Sequence, residues 1–201
     1  MKKSTENFSP WHVGVAAEAI AAGQFARLGY DVSVQYGANQ PEYDLIISKG
    51  KDSQPIKISV KGSKEGAWGL TQGFLEKTKD TTKKRTSEDY QQAITNWLDR
   101  HGSKTIICFV QFKSVDIHEL PRIYLASPTQ VAEQLKKVAK GKGGTILYEK
   151  HAWSKKNSVG LGTEEKIPDG WKFSDSRLKE VVSNIGFWAS VQPPILVLLQ
   201  A

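Results

Sequence analysis

Tyr43-Asp44-Leu45-Ile46-Ile47-Ser48, a turn at Lys49-Gly50-Lys51-Asp52-Ser53-Gln54-Pro55, and then Ile56-Lys57-Ile58-Ser59-Val60-Lys61 form the stretch whose reading decides the fold. The first run is apolar and β-branched, and the turn is built of glycine, polar residues and proline. In the second run Ile56, Ile58 and Val60 recur with period two, so they share one face and leave Ser59 and Lys61 together on the other. Two adjacent strands follow, with one acid at the start of the first and one lysine at the end of the second.

Working outward, Tyr30-Asp31-Val32-Ser33-Val34-Gln35-Tyr36 alternates large and polar residues. It precedes a turn at Gly37-Ala38-Asn39-Gln40-Pro41, so it is expected to pair with the strand at 43–48 as a hairpin. Upstream, Val13, Ala16, Ala17, Ile20, Ala21, Phe25 and Leu28 recur at helical spacing behind Ser9-Pro10, an N-cap followed by proline at the first helical position. That helix should end at Gly29. Downstream, Tyr90, Ala93, Ile94, Trp97 and Leu98 make the apolar stripe of a helix over 87–101, and Thr105-Ile106-Ile107-Cys108-Phe109-Val110 reads as a buried strand. Further strands are expected at 122–126 and 145–148, a helix at 128–139, and a short helix at 174–183. The fold class is therefore α/β, with a central mixed sheet of about four strands flanked by helices, a core over residues 1–148 and a C-terminal extension over 149–201.

Composition narrows the class of protein. A chain of 201 residues, 39% hydrophobic and 24% charged, carries enough apolar matter for one packed core. The formal charge of +7 favours a polyanionic partner. Cys108 stands alone, so no intramolecular disulfide forms, and one cysteine with four scattered histidines excludes a closed Cys/His zinc site. This cysteine usage suits a reducing cytoplasm, and the charged N-terminus is not followed by a signal-type apolar region. The apolar run over 185–199 is broken at Gln192-Pro193-Pro194 and is too short to span a bilayer, so no membrane role is expected and docking on the domain or a partner is. Neither a phosphate-cradling G-x-x-x-x-G-K-[ST] loop nor a G-x-S-x-G elbow occurs, which leaves NTPase and α/β-hydrolase chemistry without support.

Four segments, in order, carry a resemblance: Gly14-Val15-Ala16-Ala17-Glu18, Gly29-Tyr30-Asp31-Val32, Asn39-Gln40-Pro41-Glu42-Tyr43-Asp44-Leu45-Ile46, and Ile58-Ser59-Val60-Lys61-Gly62-Ser63. Over roughly the first 110 residues this order resembles the PD-(D/E)xK nuclease superfamily, particularly its Holliday-junction resolvase-like and homing-endonuclease-like branches. The resemblance implies a restriction-endonuclease-like core and a metal-dependent DNA endonuclease. Matched position by position, Glu18 is the helix acid, Asp44 the strand aspartate and Lys61 the lysine of the acid-x-lysine pair. Glu18, Asp44 and the Val60 carbonyl would then hold Mg²⁺ or Mn²⁺, and Lys61 would orient water or neutralise developing charge. Ser59 stands where the superfamily usually has Glu, Asp or Gln. A catalytically inactive nuclease-fold module that binds DNA or protein is the alternative.

The stretch after Lys61 concentrates Lys64, Lys77, Lys79, Lys83, Lys84 and Arg85 with Trp68 and Phe74 between them. It reads as a long basic loop suited to phosphate contact and base stacking, so DNA is the expected partner. A homodimer is also expected, since cleavage domains that cut both strands often act as symmetric pairs. A second basic cluster, Lys136, Lys137, Lys140 and Lys142, reads as the solvated end of a helix.

Overall fold

The computed structural model describes residues 8–35, 43–50, 53–75, 85–101, 105–156 and 158–186. The turn at 36–42, residues 76–84 of the basic loop and the apolar tail beyond 186 lie outside them.

Helix α1 (Pro10–Arg27) begins where its capping signals place it. The Ser9 side chain accepts from the His12 backbone N–H, the His12 side chain returns to the Ser9 backbone, and proline occupies the first turn. It ends before Gly29, whose φ of 80° lies in the left-handed region. Strands β1 (Asp31–Val34) and β2 (Leu45–Ser48) pair antiparallel as the expected hairpin. Strand β3 (Ile56–Ser63) pairs antiparallel with β2, Leu45 opposite Ile58. The chain then passes through the three-residue β4 (Ala67–Gly69), a 3-10 turn at Gln72–Phe74 and helix α2 (Ser87–Arg100) before returning as β5 (Thr105–Gln111), parallel to β3. Strand β6 (Arg122–Ala126) closes the far edge antiparallel to β5.

The central sheet thus has five strands in the order β1-β2-β3-β5-β6, one more than the sequence suggests. Helices cover both faces. Under α1 lie Ile58, Val60, Ile106, Cys108 and Val110, and on the opposite face Ile107 and Phe109 meet Ile94 and Trp97 of α2 and Val131, Ala132 and Leu135 of α3 (Pro128–Lys137). Because β5 is the strand covered on both sides, every one of its residues is buried, and its apolar run is continuous rather than alternating. Cys108 is an ordinary core residue whose thiol pKa is pushed far up by burial.

Two expectations need correction. The strand at 145–148 forms as β7 (Ile146–Tyr148), but it pairs with β4 in a separate two-stranded sheet. The stretch after Lys61 is also less of a loop than its glycine and lysine content implies, because β3 runs on to Ser63 and β4 follows four residues later.

Beyond residue 148, β8 (Lys150–Ala152) and β9 (Glu164–Lys166) form a hairpin, and a 3-10 turn at Asp169–Trp171 leads into α4 (Asp175–Gly186). Leu178 and Val181 of α4 enter the core beneath α1, so the core draws on the segment after 148. Arg177, only 4% exposed, anchors the helix. Its Nε and Nη2 donate to the Leu125 carbonyl at 3.1 and 3.0 Å, Nη2 also donates to Gln130 Oε1 at 2.8 Å, and Nη1 pairs with Glu180 at 2.9 Å. A buried guanidinium is tolerated there because its donors are met. Among the described residues no helix is long and apolar enough to cross a membrane.

Candidate functional site

The candidate site forms where β2 parts from β3. Pairing of the two strands runs from Ile47 opposite Ile56 to Leu45 opposite Ile58, and the Asp44 N–H closes it on the Ile58 carbonyl at 2.8 Å. Past that point β3 continues to Ser63 against β5 alone, so the N–H of Val60 has no strand opposite it. The Asp44 side chain takes the missing strand's place: Oδ2 accepts from the Val60 N–H at 2.5 Å. In an extended strand the N–H and C=O of one residue point to the same edge. The Val60 carbonyl therefore faces the edge that carries the Asp44 carboxylate.

Glu18 reaches this place through a close helix–strand contact. A Cβ added at Gly62 would lie 2.8 Å from both Cγ1 and the carbonyl oxygen of Val13, and 2.9 Å from Cβ of Ala17. Only glycine lets α1 lie directly on the β3 backbone. Val60, Lys61 and Gly62 are consecutive. The first bonds Asp44, and the third touches Ala17, the residue before Glu18. Three side chains spread over 44 positions of sequence are thereby drawn to one end of the sheet.

The electrostatics agree. Burial and then the Asp44 charge raise the Glu18 carboxyl above its ordinary 4.5, while Lys61 opposes them. A Glu18 carboxyl whose ionisation is disfavoured next to the Asp44 charge, with the Lys61 ammonium near both, is an arrangement that a cation would relieve. Among the described residues no group of three or more His, Cys, Asp and Glu side chains could hold a metal ion. The donors present are two carboxylates and a strand carbonyl. That set fits Mg²⁺, which keeps several waters and takes one or two protein carboxylates, better than a cation needing a full protein cage.

Ser59, at the position where the sequence resemblance leads one to expect an acid, is 2% exposed. It lies beside Ile107 in the parallel register, facing the side of the sheet that α2 and α3 cover.

A bacterial homing endonuclease of known structure aligns with 92% of this chain and 99% of its own, at a TM-score of 0.44 and 12% identity. No protein-family model and no curated protein matches the chain.

The remaining sequence-based candidates fare differently. Trp68 is not available for stacking on DNA. It is 3% exposed, its ring centroid is 5.0 Å from that of Phe109, and its Nε1 donates to the Lys61 carbonyl at 2.8 Å, so it buttresses the strand that carries the site. Lys64 is exposed, and its ammonium donates to the Phe8 carbonyl at 2.8 Å, tying the segment before α1 to the end of β3. Arg85 stands before α2 and lines a cleft of about 700 Å³, together with Tyr90, Lys142, Tyr148 and Trp153. Glu18, Asp44 and Lys61 are not among that cleft's lining residues. Lys77, Lys79, Lys83 and Lys84 lie outside the described residues.

Two residues escaped the sequence reading. Gly62 was visible only as the neighbour of Lys61, since a glycine in a strand does not say what presses on it. Trp11 opens α1 and is 71% exposed. Its spacing from Glu18, seven residues or two helical turns, was the available signal.

Proposed function

We propose that this chain is a metal-dependent DNA endonuclease that hydrolyses phosphodiester bonds, with Glu18, Asp44 and the Val60 carbonyl as the metal ligands and Lys61 beside them. One observation carries the reading. Val60-Lys61-Gly62 is bonded to Asp44 on one side and pressed against Ala17, next to Glu18, on the other, which supports a site that draws one acid from a helix, one from a hairpin and a lysine from a third element. Held by the two carboxylates, Mg²⁺ or Mn²⁺ would supply Lewis-acid neutralisation of charge on the phosphate oxygens. Lys61 adds a fixed positive charge where negative charge develops during displacement at phosphorus. Asp44 has two duties, because the oxygen that caps Val60 also fixes the orientation of its partner oxygen. The net charge of +7 favours a polyanionic partner, which DNA is.

The buried Ser59 favours a second reading, in which the same fold binds DNA without cutting it, because a missing acid weakens any cation site. One experiment separates the two. Mg²⁺-dependent nicking of supercoiled and branched DNA is measured for the wild type and for Asp44→Asn, with binding followed in parallel without metal. The amide retains an acceptor for the Val60 N–H, so folding and binding survive while cleavage is lost. Equal cleavage by both proteins would refute the assigned site; binding without cleavage by either would establish the binding module.

A further inference from the structure

We propose that the stripe of α1 formed by Trp11, Gly14, Val15 and Glu18 is a binding surface for an unpaired DNA strand, with the Trp11 indole stacking on a nucleobase. This deepens the endonuclease reading, on which it rests, by naming the substrate class: DNA whose bases leave the duplex stack near the scissile phosphate. An isolated exposed aromatic needs no explanation. Trp11 is not isolated. At 3.6 residues per turn, positions 11, 15 and 18 fall within about 60° of one another on the helix surface. Trp11 is 71% and Val15 48% exposed, so two large apolar side chains stand in solvent on the stripe that leads to the candidate metal ligand. Gly14 lies between Trp11 and Glu18 on that stripe, and nothing comes within 4 Å of the position its Cβ would take. Packing therefore does not require the glycine. Gly23 is equally open, so an open helical glycine is not itself a site. At Gly14 the opening joins an exposed indole to a catalytic candidate.

The backbone that carries the indole is fixed before any ligand arrives, and the His12 ring meets the indole edge-on at 5.1 Å. Ser9 and His12 close a reciprocal cap around the first turn of α1, and Pro10 fixes the backbone there. The preceding residue is pinned twice, by the Lys64 ammonium on the Phe8 carbonyl at 2.8 Å and by an edge-on contact of Phe8 with Phe112 at 5.4 Å. A rigid aromatic anchor loses little conformational entropy on binding. Lys64 sets a cation on the Phe8 carbonyl, three residues ahead of Trp11 in the chain, and aromatic faces combined with cations along the strand's path are what recognises single strands. Seven residues of helix separate Trp11 from Glu18 by about 10 Å along the axis. That is about three steps of a stacked strand. A base inside a duplex offers no free face to an indole, so the contact selects an overhang, flap or junction arm.

The test uses the full chain in EDTA, a fluorescein-labelled duplex bearing a single-stranded thymidine overhang, and a blunt duplex of equal length. Wild type, Trp11→Ala and Trp11→Phe are compared after thermal melting has shown equal folding, which is expected for an exposed position. Trp11→Ala should weaken binding of the overhang probe about tenfold, leave the blunt duplex nearly unchanged, and be largely rescued by phenylalanine. Equal losses on both probes would overturn the proposal, as would no loss on either, or a change in oligomeric state in place of a change in overhang affinity. If the wild type binds duplex DNA while the overhang is indifferent to Trp11, this inference alone falls. If it binds neither probe, the endonuclease reading falls with it.

Discussion

Replacing Gly62 with alanine places a methyl carbon 2.8 Å from the Val13 carbonyl oxygen and 2.9 Å from the Ala17 Cβ. Comfortable contact between such atoms begins at about 3.5 Å, so α1 and β3 must separate by roughly 0.7 Å. Neither obstacle is the free end of a flexible side chain. One is helix backbone and the other a methyl fixed to it, so the whole helix has to move. Overpacking of this kind costs about 1–3 kcal/mol, or roughly 2–12 °C in Tm for a chain of this size. Glu18 rides on the displaced helix while Asp44 stays bonded to β3, so the carboxylates part and Mn²⁺ affinity falls as well. Gly23→Ala is the internal control. The same methyl added to an exposed position of the same helix meets nothing within 4 Å. Relief of a helical glycine there stabilises by about 0.5–1 kcal/mol. Thermal melting of both variants with and without Mn²⁺ measures stability and metal binding together. If Gly62→Ala melts like the wild type and binds Mn²⁺ equally well, the helix does not rest on the strand at this point and the argument for convergence fails.

Glu18→Gln should stabilise the metal-free protein increasingly as pH rises from 4.5 toward neutrality. Burial and Asp44 raise the folded-state pKa of Glu18, so its contribution is fully present below the unfolded value and lost as pH rises through the folded one. Melting curves at several pH values check this, and a gap between the proteins that does not change with pH would refute it. In Mn²⁺ the order reverses, since a cation at a hundredfold excess over its Kd stabilises the wild type by about 2.7 kcal/mol that the amide largely forgoes. Ser59→Glu buries a carboxylate at a position 2% exposed. Tm should drop without metal and recover in part when Mn²⁺ is added, as calorimetry or melting would show; a drop that Mn²⁺ leaves untouched would mean that position 59 does not reach the cation.

How much of this was legible in the sequence follows the range of the forces involved. Helix α1, the β1–β2 hairpin and β3 rest on local signals: a Ser-Pro cap, apolar spacing of four, period-two alternation and glycine-proline turns. These were readable in order, and with them came the candidates Glu18, Asp44 and Lys61. The sequence also placed Ser59 and Lys61 on one face, because alternation along a strand needs no partner to define it. Tertiary structure alone decided what each face meets. Trp68 sits among glycines and lysines and looks solvated, but β4 pairs with β7 some 80 residues later and the indole closes over Phe109. Short strands leave no periodicity to detect, so only the distant partner reveals them. The close approach at Gly62, the Val60 N–H left open where β2 departs, and the exposure of Trp11 on the Glu18 stripe are likewise properties of contacts between elements. A one-dimensional pattern shows which residues share a face, and the packing of helix on sheet determines which of those faces stays open to a ligand.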